Sequence, residues 1–105
     1  MDNEKLSELD AELKGFFIES KLEEMKNLLQ EQSDVTVSDL FEYTWNIIQK
    51  YYDAENYELL FRYLSFVAYS CFLVEYTYQQ GLIDNKRYHD IMMIYNEIYD
   101  KKKQQ

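Results

Sequence analysis

The chain has 105 residues, enough for one ordinary domain but too few for two independent cores. An apolar content of 47% excludes intrinsic disorder, and the absence of proline with only two glycines excludes a fold built from many hairpins. The net charge of −9 is concentrated at the front, where residues 1–42 carry twelve carboxylates against four lysines. Direct nucleic-acid binding is not expected, because phosphate contacts require a basic face.

Residues 1–32 form the first predicted region, which is acidic and helical. Its apolar positions recur every three or four residues and make two stripes that point in roughly opposite directions. The first stripe comprises Leu6, Leu9, Leu13 and Phe16 or Phe17, and the second comprises Ile18, Leu22, Met25 and Leu29. Either the helix breaks near Gly15, or one long helix has two apolar faces. Ser20 followed by Glu23 fits a capping box, which favours the break.

The next helix is predicted to begin at Thr36. Thr36 and Asp39 have the spacing of a capping box, and Val35 can pack on Leu40 as a hydrophobic staple. We expect this helix to end near Asp53, whose short side chain would cap the helix that follows.

That following helix is predicted to run from Ala54 to Gln80 and to lie at the centre of the fold, because it is apolar around most of its circumference. One stripe comprises Leu60, Leu64, Val67, Cys71 and Val74, and the other comprises Leu59, Tyr63, Phe66, Tyr69, Leu73 and Tyr76. Gly81 can close the helix with positive φ. The uncharged run Tyr63–Val74 is too short to span a bilayer, so no membrane association is expected.

A last helix is predicted to start at Asp84, with one apolar face formed by Tyr88, Ile91, Met92, Tyr95, Ile98 and Tyr99. The sequence therefore predicts an all-α, single-domain bundle of four to five helices with one long central helix. Its parts are the acidic region 1–32, an aromatic-rich helical core over 36–100 and a frayed basic tail over 101–105.

The side chains that carry chemistry are few. His89 is the only histidine and Cys71 the only cysteine, and the two lie on different predicted helices. Nucleophilic catalysis needs an imidazole beside the nucleophile, and zinc sites need several such ligands at short spacing. We therefore expect no enzyme activity, no catalytic or metal-binding residues and no cofactor. A lone cysteine in an apolar run and the absence of a visible secretory signal indicate a cytoplasmic protein.

The acids of the front region are either a solvated face or a surface that opposes lysines and arginines of a partner. Tyrosines interleaved with the acids add flat anchors of the kind enriched at binding hot spots. The candidate partner-binding residues are Glu8, Glu12, Glu19, Glu23, Glu24, Glu42, Tyr43, Tyr52, Glu55, Tyr57, Glu58 and Tyr63.

In size and charge the chain resembles the small acidic helical inhibitors encoded by bacteriophages and mobile elements, which include anti-CRISPR proteins and DNA mimics. It also resembles antitoxins and immunity proteins. The resemblance implies a protein that binds and inhibits a basic nucleic-acid-handling protein in the bacterial cytosol. The alternatives are an antitoxin or immunity protein that neutralises a toxin, and a structural or regulatory homodimer.

Overall fold

The computed structural model describes residues 3–105, and this part of the chain folds into six helices. They are α1 (Asn3–Ile18), α2 (Leu22–Gln30), α3 (Asp34–Asp53), α4 (Tyr57–Arg62), α5 (Leu64–Gln79) and α6 (Asn85–Lys103). The all-α class is confirmed, with more helices than the four to five expected. The difference arises because the region predicted as one long helix is made of α4 and α5.

The break in the first region falls at Ser20, and Gly15 lies inside α1. The N–H of Lys21 donates to the carbonyl of Phe16 at 2.8 Å, and the N–H of Ser20 donates to the carbonyl of Phe17 at 3.1 Å. This is the Schellman closure of a helix, with Ser20 at φ 60° in the position that glycine usually occupies. The predicted capping box at Ser20 is wrong, since Ser20 closes α1 and Lys21 precedes α2 without a side-chain cap.

The third helix begins at Asp34, two residues before the predicted start at Thr36. Ser33 caps it, because its Oγ accepts from the N–H of Thr36 at 3.2 Å. Val35 is 68% exposed, so the predicted hydrophobic staple does not form. The end of the helix at Asp53 is confirmed.

A second Schellman closure ends α3 at Glu55, which has φ 55°. The N–H of Asn56 donates to the carbonyl of Tyr51 at 2.9 Å. Asn56 then caps α4 by accepting from the N–H of Leu59 at 3.3 Å, so the cap expected from Asp53 comes from Asn56 instead.

The predicted single helix from Ala54 to Gln80 is wrong in its first half. The chain turns at Tyr63, where φ is −110° and ψ is 42°, between α4 and α5. Neither glycine nor proline marks this position, so local sequence does not explain the turn. Tertiary packing does, since α4 contacts α3, α5 and α6.

The central position expected for the helix with the uncharged run Tyr63–Val74 is occupied by α5, which contacts α1, α3, α4 and α6. Its two apolar stripes pack into two different clusters of the core. Val67 and Val74 join a cluster with residues of α3, α4 and α6. Tyr69, Leu73 and Tyr76 join a cluster with residues of α1, α2 and the start of α3.

The connection between α5 and α6 follows the sequence prediction. Gly81 has φ 75°, and the N–H of Leu82 donates to the carbonyl of Thr77 at 3.1 Å. Asp84 caps α6 by accepting from the N–H of Arg87 at 2.8 Å. The helix continues to Lys103, so the first three residues of the expected frayed tail are helical.

One charged side chain of α1 lies in the core. Asp10 is 3% exposed, and its Oδ1 accepts from the hydroxyl of Tyr69 at 2.8 Å. Its Oδ2 lies 3.0 Å from Nζ of Lys14. The two partners offset the desolvation of the carboxylate. Across residues 3–105, no helix has the length and apolarity that crossing a membrane requires.

Candidate protein-binding surface

A row of carboxylates runs along the outer face of α1. Glu4, Glu8 and Glu12 are exposed and follow one another at four-residue spacing, opposite the face that buries Leu6, Leu9 and Leu13. Side chains at this spacing are neighbours on a helix, and like charges there repel one another. Glu8 and Glu12 take part in no ion pair within residues 3–105. Glu8 and Glu12 therefore present negative charges that no ion pair within residues 3–105 compensates.

The acids of α2 extend this charge. Glu23 and Glu24 are exposed in the first turn of α2, where a carboxylate is favoured by the helix dipole. Glu19, in the turn before α2, lies 2.9 Å from Nζ of Lys21. The hydrogen bond that Lys21 donates to Glu19 and, to a smaller extent, the charge of Glu24 raise the pKa of Lys21. Both members of the Glu19 pair are exposed and screened by water, so a partner can displace Lys21.

Glu42 and Tyr43 lie elsewhere, on α3. Glu42 pairs with Nη1 of Arg87 at 2.5 Å, and the guanidinium of Arg87 stands over the ring of Phe41 at 4.9 Å. The hydrogen bond that Arg87 donates to Glu42 raises the pKa of Arg87. Glu42 and Tyr43 line a shallow groove of about 310 Å³ between α1 and α3. The charge of Glu42 is thus compensated by Arg87, unlike the charges of Glu8 and Glu12.

Three other predicted residues meet near the end of α3. Tyr52, Glu55 and Tyr57 line a polar pocket of about 420 Å³ together with Glu97 and Lys101. The hydroxyl of Tyr52 donates to Glu97, which raises the pKa of Tyr52 to about 12. Nζ of Lys101 stands 4.8 Å from the centre of the Tyr57 ring. The ammonium of Lys101 therefore already places a positive charge in this pocket.

The last two predicted residues lie at opposite ends of α4, Glu58 in its first turn and Tyr63 at the turn between α4 and α5. Glu58 pairs with Arg62 at 3.0 Å on the exposed side of α4. Tyr63 is 56% exposed. The structure therefore divides the twelve predicted residues among separate places, and it groups the acids of α1 and α2 on one helical hairpin.

An apolar cleft beside α1 is the feature that sequence reasoning missed. It has a volume of about 540 Å³ and lies between the second half of α1, the second half of α3 and the α4–α5 turn. Ile18, which is 72% exposed, and Tyr63 stand at its edge. Among the residues that line it are Ala11, Gly15, Ile47, Tyr51, Leu59 and Phe66.

Two local signals could have indicated the cleft. Gly15 interrupts a helical pattern with a residue that is unfavourable there by about 1 kcal/mol relative to alanine. The second signal is the apolar stripe of the α4–α5 region. Leu59 and Tyr63 lie at its start, before the residues of the stripe that pack against α1 and α2.

The groups able to carry chemistry are dispersed. Within residues 3–105, no three side chains among His, Cys, Asp and Glu are grouped as metal ligands. His89 is exposed on α6, whereas Cys71 is half-buried on α5. Burial raises the pKa of the Cys71 thiol above its ordinary value. A raised pKa keeps the thiol protonated and weakly nucleophilic at neutral pH.

Comparison of the chain with protein-family models, with curated proteins and with solved structures found no match.

Proposed function

We propose that this chain is a non-catalytic cytosolic protein that binds and inhibits a basic nucleic-acid-handling protein. The observation that carries the proposal is the set of exposed acids on the α1–α2 hairpin, where Glu8, Glu12 and Glu23 have no ion-pair partner within residues 3–105. A face of one charge sign speeds the encounter with a face of the opposite sign and disfavours partners of the same sign.

The spacing of the α1 row supports competition for a short stretch of a nucleic-acid groove. Glu8 and Glu12 are four residues apart, which corresponds to about 6 Å along a helix. One strand of duplex DNA carries a phosphate about every 3.4 Å along the axis. One carboxylate for about 6 Å therefore gives somewhat over half the charge density of one strand.

The phage and mobile-element inhibitors that the chain resembles in size and charge are likewise small, acidic and helical. An antitoxin that covers a basic toxin would use the same complementarity. The two functions differ in the activity of the protein that is bound, so identification of that protein separates them.

The first experiment is capture from a bacterial lysate on the immobilised chain, followed by elution with increasing salt and identification of the eluted proteins. We expect basic nucleic-acid-binding proteins to be retained at low salt and released as ionic strength rises, because exposed charges are screened beyond about 10 Å at 0.1 M salt. The captured protein is then assayed for nucleic-acid binding or cleavage with and without the chain.

Charge-reversal variants test the surface itself. The double variant Glu8→Lys with Glu12→Lys should weaken binding by about tenfold. The control is Asp90→Lys with Asp100→Lys on α6, which changes the net charge by the same amount at exposed positions. The fourfold variant with Glu8, Glu12, Glu19 and Glu23 all changed to lysine should abolish capture.

Helicity and melting temperature must be unchanged in both double variants for the comparison to count. Equal affinity for the two double variants would mean that only the net charge matters. Unchanged affinity in the fourfold variant would show that the acidic face serves solubility alone. Recovery of nothing but the chain itself would favour the homodimer.

A further inference from the structure

The apolar stripe that begins at Leu59 and ends at Tyr76 extends beyond the core cluster that it forms with α1 and α2. Tyr69 and Leu73 are buried against α1 and α2. Leu59 and Tyr63, earlier in the same stripe, line the open cleft instead. Single exposed apolar residues are common on protein surfaces and need no explanation. Leu59 and Tyr63 differ because both line one cavity of about 540 Å³. The floor of the cleft includes Ile48, Leu60 and Val67, which belong to the core cluster that α5 forms with α3, α4 and α6.

Gly15 keeps the α1 wall of this cleft low. It lies in the interior of α1 without a positive φ, and a Cβ at this position would meet no other atom within 4 Å. Neither backbone conformation nor close packing therefore requires glycine. Alanine would fit and would favour the helix by about 1 kcal/mol. A side chain larger than alanine would instead occupy the cleft, because Gly15 lines it.

The edge of the cleft on α1 carries the acidic row. Glu12 is three residues before Gly15 and Glu19 is four residues after it, so both side chains border the glycine on the helix surface. The N–H of Glu19 donates to the carbonyl of Gly15 at 3.1 Å, which keeps Glu19 in the helical turn. Lys14 also lines the cleft, but its ammonium is bound to the buried carboxylate of Asp10. The apolar cleft therefore has an acidic border along α1.

We infer that this cleft receives the apolar side chains of a cationic amphipathic helix of the partner protein. This inference rests on the proposed function and names the segment that would be recognised. Acids at four-residue spacing on α1 match lysines or arginines at the same spacing on a neighbouring helix. Apolar residues three or four positions apart on that helix would enter the cleft beside Ile18 and Tyr63, which is the helix-in-groove mode of recognition.

The charge of the chain distinguishes this occupant from a second copy. Two chains of −9 would bring two acidic hairpins together at the same cleft. Like-charge juxtaposition opposes such an interface, whereas a cationic helix is attracted by the same border.

The test uses a synthetic amphipathic helix of leucine and lysine, 18 residues long, and measures its affinity by calorimetry. Two control peptides have the same leucines, one with the lysines replaced by glutamate and one with the sequence scrambled to remove the apolar face. On the protein side, Gly15→Leu fills the cleft and Gly15→Ala leaves it open. Tyr63→Ala removes an exposed edge residue as a second, independent variant.

We expect the amphipathic cationic peptide to bind more tightly than either control peptide. Gly15→Leu should weaken this binding by at least about tenfold, which corresponds to the loss of a hot-spot contact, and Tyr63→Ala should also weaken it. Gly15→Ala should keep the affinity within about twofold. Both glycine variants should melt no lower than the parent chain.

Three results would overturn the inference. The first is equal affinity for the scrambled peptide, which would indicate charge alone. The second is unchanged binding in Gly15→Leu while Glu8→Lys with Glu12→Lys weakens it, which would leave the proposed function standing without the cleft. The third is dimerisation of the parent chain that Gly15→Leu abolishes, measured by sedimentation, since a second copy would then fill the cleft.

Discussion

Removing one buried hydroxyl tests how the carboxylate of Asp10 is stabilised. Tyr69→Phe keeps the aromatic ring but deletes the hydrogen bond that Tyr69 donates to Asp10 at 2.8 Å. Both side chains are buried, so water cannot easily replace the lost donor. Hydrogen bonds to charged groups contribute about 1.5–3 kcal/mol, and Lys14 still pairs with the carboxylate at 3.0 Å. We expect a loss of about 2 kcal/mol in the free energy of unfolding.

For a chain of 105 residues, that loss lowers the melting temperature by about 9 °C. Urea denaturation and thermal melting followed by circular dichroism measure both quantities. The matched control is Tyr95→Phe, which deletes a buried hydrogen bond of 2.6 Å to the neutral hydroxyl of Ser70. Ser70 can turn to a carbonyl of its own helix, so this loss should be about 1 kcal/mol. Equal losses in the two variants, or a loss below about 0.5 kcal/mol in Tyr69→Phe, would refute the stabilisation of Asp10 by Tyr69.

Three further outcomes follow from the backbone and from the buried tyrosines. Ser20→Gly and Glu55→Gly should each raise the free energy of unfolding by about 0.5–1 kcal/mol, because both residues have positive φ at a helix end. Gly81→Ala should lower it by a similar amount for the same reason, and a gain in this variant would contradict the explanation for all three sites. Burial raises the pKa of Tyr69 and of Tyr95 in the folded chain, whereas both ionise at about pH 10 once unfolded. Above about pH 10 the unfolded state therefore binds fewer protons than the folded state. Ionisation of these tyrosines leaves the free energy of unfolding unchanged below pH 10 and lowers it above pH 10 by about 1.4 kcal/mol per pH unit for each tyrosine. Urea denaturation between pH 9 and pH 11 checks this, and a slope that Tyr69→Phe leaves unchanged would contradict it.

The local features of the fold were largely predictable. The closing glycine Gly81, the cap Asp84 and the helix end at Asp53 depend on a few adjacent residues, and all three were placed correctly. Hydrophobic periodicity likewise identified the two apolar stripes that pack into different core clusters. Errors of two residues at a helix start, as at Thr36, arise where Ser33 and Thr36 compete for the same capping role.

The contacts that the candidate residues make within the fold were not predictable, because they join distant segments. Glu42 pairs with Arg87, which lies in a different helix. Tyr52 similarly donates to Glu97. Such pairings depend on how the helices are arranged in space, and one sequence contains no direct record of them.

By itself, the sequence of this chain determined that it is all-α, that its acids are concentrated at the front and that the helix with the uncharged run Tyr63–Val74 is central. These properties follow from periodicity and composition, which act over a few residues. Only the tertiary structure decided that the chain turns at Tyr63, that Ser20 and Glu55 have positive φ and that a cleft remains beside Gly15. Each of these features depends on contacts between several helices, whose packing energy exceeds the local preferences of single residues.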